Sequence, residues 1–168
     1  MVRFQTSLGD FTVEVFPREA PETVENFLRY VDESFYDGTV FHRVVPGFVI
    51  QGGGLTGDLK QKETHAPIRN ESDNGLKNDR GLLSMARTND VNSATSQFFV
   101  NLKDNDFLNA KRGQPGYAVF ARVTEGLDVI DKIAAVKTGR RKGYDDTPVE
   151  EVVIISARRT DAGGEPAK

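Results

Sequence analysis

Cysteine is absent from the chain, which removes disulfides, thiolate nucleophiles and cysteine-ligated zinc together. Histidine is scarce: only His42 and His65 occur, with no His-Glu-x-x-His pair, so metal hydrolysis lacks a ligand set and no metal or cofactor is expected. No Gly-x-Ser-x-Gly elbow is present to activate a serine. No apolar run approaches the ~20 residues of a membrane span. Met1-Val2-Arg3-Phe4 passes straight into a strand pattern without a leader's basic start and apolar stretch. These gaps point to a protein of the reducing cytoplasm. A net charge of −3 leaves no global field to hold nucleic acid or acidic lipid.

What is present describes one globular domain. A chain of 168 residues is long enough to bury a real core, and 16 glycines with 7 prolines signal many turns, hence β structure. Val2, Phe4 and Thr6 alternate with polar residues, as do Phe11, Val13 and Val15, which predicts a hairpin turning at Gly9-Asp10. Pro21 at a first helical position, Glu22 in the first turn and the stripe Val24, Phe27, Leu28, Val31 predict a helix. Val40 to Gly52 reads as strand, Pro46-Gly47 turn, strand. Residues 52–78 read as a long surface loop with one short strand near Ile68; so long an irregular stretch marks function or disorder. Gly81 to Ala86, Gln97 to Asn101 and Ala118 to Val123 read as strands, with a polar loop over Arg87 to Ser96. A second helix is expected over Leu127 to Val136, and Val152 to Ile155 as a fully buried strand. The domain is expected over residues 1–160, with a flexible tail over 161–168. The many short strands and two helices favour a barrel or closed sheet with helical plugs. With no heptads or obvious apolar patch, a monomer is expected.

Two further features have plain explanations. Gly52-Gly53-Gly54-Leu55-Thr56-Gly57 has phosphate-loop glycine spacing, but Asp58-Leu59 follow where Lys and Ser/Thr should stand, so a flexible turn is the better reading. Lys137 to Lys142 is a basic cluster read as a solvated loop.

Two stretches are not explained by packing. One is Phe41-His42-Arg43-Val44-Val45-Pro46-Gly47-Phe48-Val49-Ile50-Gln51-Gly52-Gly53. The other is Leu83-Ser84-Met85-Ala86-Arg87, followed by Ser96-Gln97-Phe98-Phe99-Val100. Together they closely resemble the signature of the cyclophilin family of peptidyl-prolyl isomerases, in its small bacterial cytosolic branch. The likeness extends to the opening hairpin, Ala20 to Phe27, Phe35-Tyr36 and the last strand. It implies a mainly β fold, a closed eight-stranded antiparallel β-barrel capped by two α-helices. It also implies rotation about X-Pro peptide bonds, assisting the folding of unfolded or folded protein clients.

Carried over by position, the resemblance makes Arg43 the catalytic group and gives Gln51 the task of orienting it and the substrate backbone. Phe48, Val49, Phe99, Leu108, Phe107 and Tyr117 would line a proline pocket. Ala86, Arg87, Thr88 and Gln97 would border the groove for residues before proline. His42 is expected to be a hydrogen-bonded structural residue. Phe107, Tyr117, Val49 and Arg87 stand where Trp, His, Met and Asn are common in the best-known eukaryotic pattern, which implies weak binding of the cyclic peptide cyclosporin.

An ideal two-residue turn at Pro46-Gly47 would pair Arg43 with Ile50 and put Gln51 on the opposite face, so a shared site requires a bulge or splayed strands. The main competing reading is a module or chaperone that holds proline-containing segments without turning them over. Arg43 and Gln51 discriminate, because a pure binder needs no donor at the prolyl nitrogen. An RNA-associated protein using Lys137 to Lys142 is disfavoured by the acidic balance.

Overall fold

The computed structural model describes residues 1–160; the tail expected over 161–168 lies outside the described residues. Alternation dictates the first hairpin. β1 (Val2–Thr6) buries Val2, Phe4 and Thr6, and β2 (Gly9–Val15) pairs with it antiparallel. The turn is Ser7-Leu8 instead of Gly9-Asp10. Thr6 pairs with Gly9, and its hydroxyl accepts from the Leu8 N–H at 3.1 Å and donates to the Gly9 carbonyl at 2.6 Å. A side-chain hydroxyl closes this turn.

The helix α1 (Pro21–Asp32) starts on its proline and buries Val24, Phe27, Tyr30 and Val31, with Leu28 half-buried. Then follow β3 (Arg43–Val45), β4 (Val49–Gly52), β5 (Leu82–Met85), β6 (Phe98–Asn101) and β7 (Val119–Glu125). The second helix, α2 (Leu127–Ala134), stops two residues short of the expected end and buries Val129, Ile130 and Ile133. Last come β8 (Thr138–Arg141), β9 (Tyr144–Pro148) and β10 (Ile154–Arg159).

Eight strands form one antiparallel sheet in the order β10-β1-β2-β7-β5-β6-β4-β3, so the fold is mainly β with two helices. The sheet is strongly curled. The chain entering β3 meets the chain entering β10 through the bridge between Val40 and Val153. The Phe41 N–H donates to the Val152 carbonyl at 3.0 Å, and the Ile154 N–H to the Thr39 carbonyl at 2.8 Å. The paired ladder itself ends at β3 and β10. Inside the curl, Phe4 stacks on Phe11 at 4.8 Å and Phe27 packs on Phe120 at 5.0 Å, among Tyr36, Phe41 and Phe98.

Three expectations are corrected. Lys137 to Lys142 is no loop: Thr138–Arg141 pair with Tyr144–Pro148 as a small separate hairpin. The last strand alternates, with Ile154 buried and Ile155 56% exposed, because one face only meets the core. The stretch 53–81 contains no strand, and Ile68 makes a single bridge to Ala94.

That long stretch is nevertheless anchored. The cap residue of α1, Ala20, has no side-chain oxygen to offer the first-turn N–H groups. Glu71, 2% exposed, supplies it from 48 residues away. One carboxylate oxygen accepts from the Thr23 N–H and the Thr23 hydroxyl, both at 2.7 Å, and the other from the Glu22 N–H at 3.3 Å. Negative charge at a helix N-terminus is favourable, and Arg69 approaches the same carboxylate at 3.4 Å. Glu71→Ala should therefore lower unfolding free energy by about 1–3 kcal/mol, and Glu71→Gln by less because an amide oxygen still accepts; denaturant titration measures both. Equal stability of all three proteins would contradict the capping role.

Candidate active site

The turn between β3 and β4 determines what faces outward. Pro46 and Gly47 occupy the two centre positions of a turn closed by the Phe48 N–H on the Val45 carbonyl at 3.0 Å, and Gly47 has φ +72. Pro followed by a positive-φ Gly is the chemistry of a type II turn. Three residues, 46–48, then separate Val45 from its partner Val49, so Arg43 pairs directly with Gln51 and Val44 with Ile50. The expected bulge or splaying is absent, because the connection has three residues and not two.

Val44, Ile50, Val100 and Leu83 point into the core, which turns Arg43, Gln51, Phe99 and Ser84 to the outer wall. These four form one row across β3, β4, β6 and β5. The loop after β6 and the segment following β5 fold over that row. Phe48, Val49, Ala86, Phe99, Leu108 and Tyr117 make a small apolar cluster separate from the main core.

Arg43, Phe48, Val49, Gln51, Ala86, Arg87, Phe99, Leu108 and Tyr117 line one open pocket. The Arg43 guanidinium lies 5.7 Å from the Phe48 ring centre and donates to Gln51 Oε1 at 3.5 Å. Gln51 Nε2 donates to Gln97 Oε1 at 3.0 Å, so Gln97 stands behind the pair. Gly54 permits this: a Cβ there would sit 2.4 Å from Gln97 Cγ. The glycine run 52–54 is thus buried close packing, where a flexible turn was expected. Phe99 meets Tyr117 edge-on at 5.6 Å, and Arg87 lies over the Tyr117 ring at 4.5 Å.

Two expected residues stand apart. Phe107 is 64% exposed and stacks on Phe48 from outside at 5.5 Å. Thr88 is exposed and bonds Ser93.

A supporting relay went unseen in the sequence. Asn105 Nδ2 donates to the Phe48 carbonyl at 3.0 Å and to Asn101 Oδ1 at 2.9 Å. Asn101 Nδ2 donates to Asn78 Oδ1 at 3.2 Å, and Asn78 Nδ2 reaches the Leu108 carbonyl at 3.3 Å and the Tyr117 carbonyl at 3.2 Å. Ser84 donates to the same Asn78 oxygen at 2.5 Å. Three pocket walls are thereby tied through buried amides. Asn109 Oδ1 accepts from the Asn78 N–H at 2.6 Å and closes the relay; the four-residue spacing of Asn101, Asn105 and Asn109 was the available signal, while Asn78 offered none.

His42 is 6% exposed, packs edge-on to Tyr144 at 5.9 Å, and its Nδ1 has no hydrogen-bond partner, contrary to the expected hydrogen-bonded role at that atom. Burial first, and then the neighbouring Arg43 charge, push its pKa down to about 4. Among the described residues, no group of three or more His, Asp or Glu could hold a metal ion, and no helix is long and apolar enough to cross a membrane.

Residues 1–159 match the family described as cyclophilin type peptidyl-prolyl cis-trans isomerase/CLD. The chain is 58% identical over 160 residues to peptidyl-prolyl cis-trans isomerase cyp18 of Streptomyces antibioticus, covering 94% of this chain and 96% of that one. It is 54% identical to peptidyl-prolyl cis-trans isomerase B of Escherichia coli K12, with 93% and 97% covered. A Cryptosporidium parvum cyclophilin type peptidyl-prolyl cis-trans isomerase, crystallised in the presence of the dipeptide Ala-Pro, superposes with a TM-score of 0.80 at 31% identity, covering 93% of this chain and 96% of that chain.

Since His42 is held neutral in the fold but takes a proton near pH 6.5 when unfolded, the unfolded chain binds more protons between about pH 6.5 and 4. Stability is lost as pH falls through that window. The stability difference between wild type and His42→Gln should shift by about 2 kcal/mol between pH 7 and pH 4.5 in denaturant titrations; a constant difference would refute the titration.

Proposed function

The chain belongs to the cyclophilin-type peptidyl-prolyl cis-trans isomerases, an enzyme family, and from that premise we propose that Arg43 drives rotation about X-Pro bonds in the slot beside it. The observation that carries the residue assignment is the direct pairing of Arg43 with Gln51 at the wall of the apolar pocket.

The peptide C–N bond resists rotation by about 18–20 kcal/mol because of its partial double-bond character. At the twisted transition state that resonance is lost and the prolyl nitrogen regains a lone pair. A fixed donor at that nitrogen favours the twisted form over both planar ground states, which is differential binding without any proton transfer. Arginine suits the task because it stays charged and its fork can hold a neighbouring carbonyl as well. Gln51, backed by Gln97, holds the guanidinium in place. Phe48, Val49, Phe99, Leu108 and Tyr117 grip the proline ring and exclude water, which strengthens the Arg43 contact. Ala86, Arg87 and Gln97 border the approach for residues before proline, with Thr88 and Phe107 at the outer margin.

The substrates are proline-containing peptides and unfolded or folded client proteins. The Ala-Pro dipeptide named with the Cryptosporidium parvum relative supports the peptide class. We read the curled sheet as a closed barrel, supported by the hydrogen bonds between residues 39–41 and 152–154. We also read the protein as a cytoplasmic monomer of one domain.

Arg43→Ala should lower kcat/KM on a short X-Pro peptide by roughly 10²–10³ while binding persists, and Phe48→Ala should act mainly through KM. Full activity in Arg43→Ala would refute the assignment. Wild type that binds the peptide without changing its exchange rate would favour a pure binder. Phe107 stands exposed where the eukaryotic pattern has Trp, so cyclosporin should bind with micromolar Kd, about 4 kcal/mol short of nanomolar; a low-nanomolar titration would refute this.

A further inference from the structure

The pocket is lined by two arginines and no carboxylate, in a chain whose net charge is −3. Most exposed arginines of the described residues have found an acid: Arg3, Arg80, Arg122, Arg158 and Arg159 all lie within 3.1 Å of one. Arg87 has no acidic partner within salt-bridge distance among the described residues, yet it is held firmly. Its Nε and Nη2 donate to the Gly116 carbonyl at 3.3 Å, its Nη1 donates to the Thr88 carbonyl at 2.9 Å, and its plane lies on Tyr117. A guanidinium has five N–H groups. Three are committed to backbone carbonyls, which leaves one on each terminal nitrogen without a protein partner among the described residues. Carbonyl contacts and an aromatic face orient a cation without neutralising it. A side chain fixed in this way has already lost its rotamer freedom, so a ligand that pairs with it need not supply that ordering.

We infer that Arg87 makes the slot selective for proline segments carrying a carboxylate side chain within two residues before the proline. This rests on the isomerase reading of the same pocket and names its preferred substrate class. The carboxylate takes the free N–H groups of Arg87 on the Tyr117 wall, while Arg43 on the Phe48 wall stays available to the rotating bond. A lysine at the same peptide position meets two like charges and is disfavoured.

The test is a peptide series with Glu, Gln or Lys placed one or two residues before a single proline, with kcat/KM measured by magnetisation exchange. At one of the two positions wild type should prefer Glu over Gln by about fivefold and disfavour Lys, and the ratio should shrink as salt is raised from about 0.05 to 0.5 M. In Arg87→Leu the Glu/Gln ratio should fall to about one, whatever the absolute rates, and in Arg87→Lys it should be intermediate. A ratio near one at both positions in wild type, or a ratio unchanged in Arg87→Leu, overturns the inference while leaving the isomerase intact. Failure of wild type to accelerate even the Gln peptides would instead remove the isomerase reading, and this inference with it.

Discussion

Pro46 and Gly47 bring the chain round in a turn that places three residues between β3 and β4, and the outer wall of the sheet is organised by that count. Slip the pairing by one and Ile50 would face the loops while Gln51 entered the core. Burying an amide without partners costs roughly 1–3 kcal/mol, and exposing the isoleucine forfeits about 1.5–3 kcal/mol more. The core residues Val44 and Ile50 therefore hold the register, and the register places Arg43 beside Gln51. Packing on one side of the strand determines the chemistry on the other.

The same strands serve two solvents. Inward, Val44, Ile50, Leu83 and Val100 meet the aromatic interior. Outward, Val49, Gln51 and Phe99 would meet water if nothing covered them. The cover is the loop carrying Leu108 and Tyr117, and such a loop brings backbone groups that must be satisfied. Asn78 bonds the loop carbonyls of Leu108 and Tyr117 from beneath, Asn105 bonds the Phe48 carbonyl, and Asn101 links the two amides. An apolar slot and a buried amide relay are thus two sides of one construction. The relay removes polar groups from the slot's walls and ties those walls to each other, which helps a pocket resist collapse when it is empty.

Legibility in the sequence followed the range of the forces involved. Elements governed by local periodicity were readable: the stripe of α1, the alternation of β1 and β2, and the strands flanking 87–96. Errors came where a single hydroxyl or one extra residue decides. Thr6 closes the first turn, and Phe48 belongs to the second turn as well as to the slot. The hairpin from Thr138 to Pro148 hid behind its basic residues, because an exposed two-stranded ribbon needs no apolar alternation. Of the site, the motif residues around Arg43 were visible through resemblance. The Asn relay and the Glu71 cap were not, since both join residues far apart in sequence through polar bonds that leave no periodic trace.

A site that works by fixed charge must keep that charge unspent. On the mechanism proposed above, a carboxylate beside Arg43 would orient the guanidinium well, yet it would also cancel much of the field offered to the prolyl lone pair. Gln51 orients with a dipole instead, and its own amide is steered by Gln97, another neutral group. His42, next in sequence to Arg43, could add a competing charge, but burial keeps it neutral at any pH above about 4. Around Arg43, then, stand a neutral amide, the Phe48 ring and a neutral imidazole. For the proton-free rotation proposed above, such surroundings supply orientation without neutralisation.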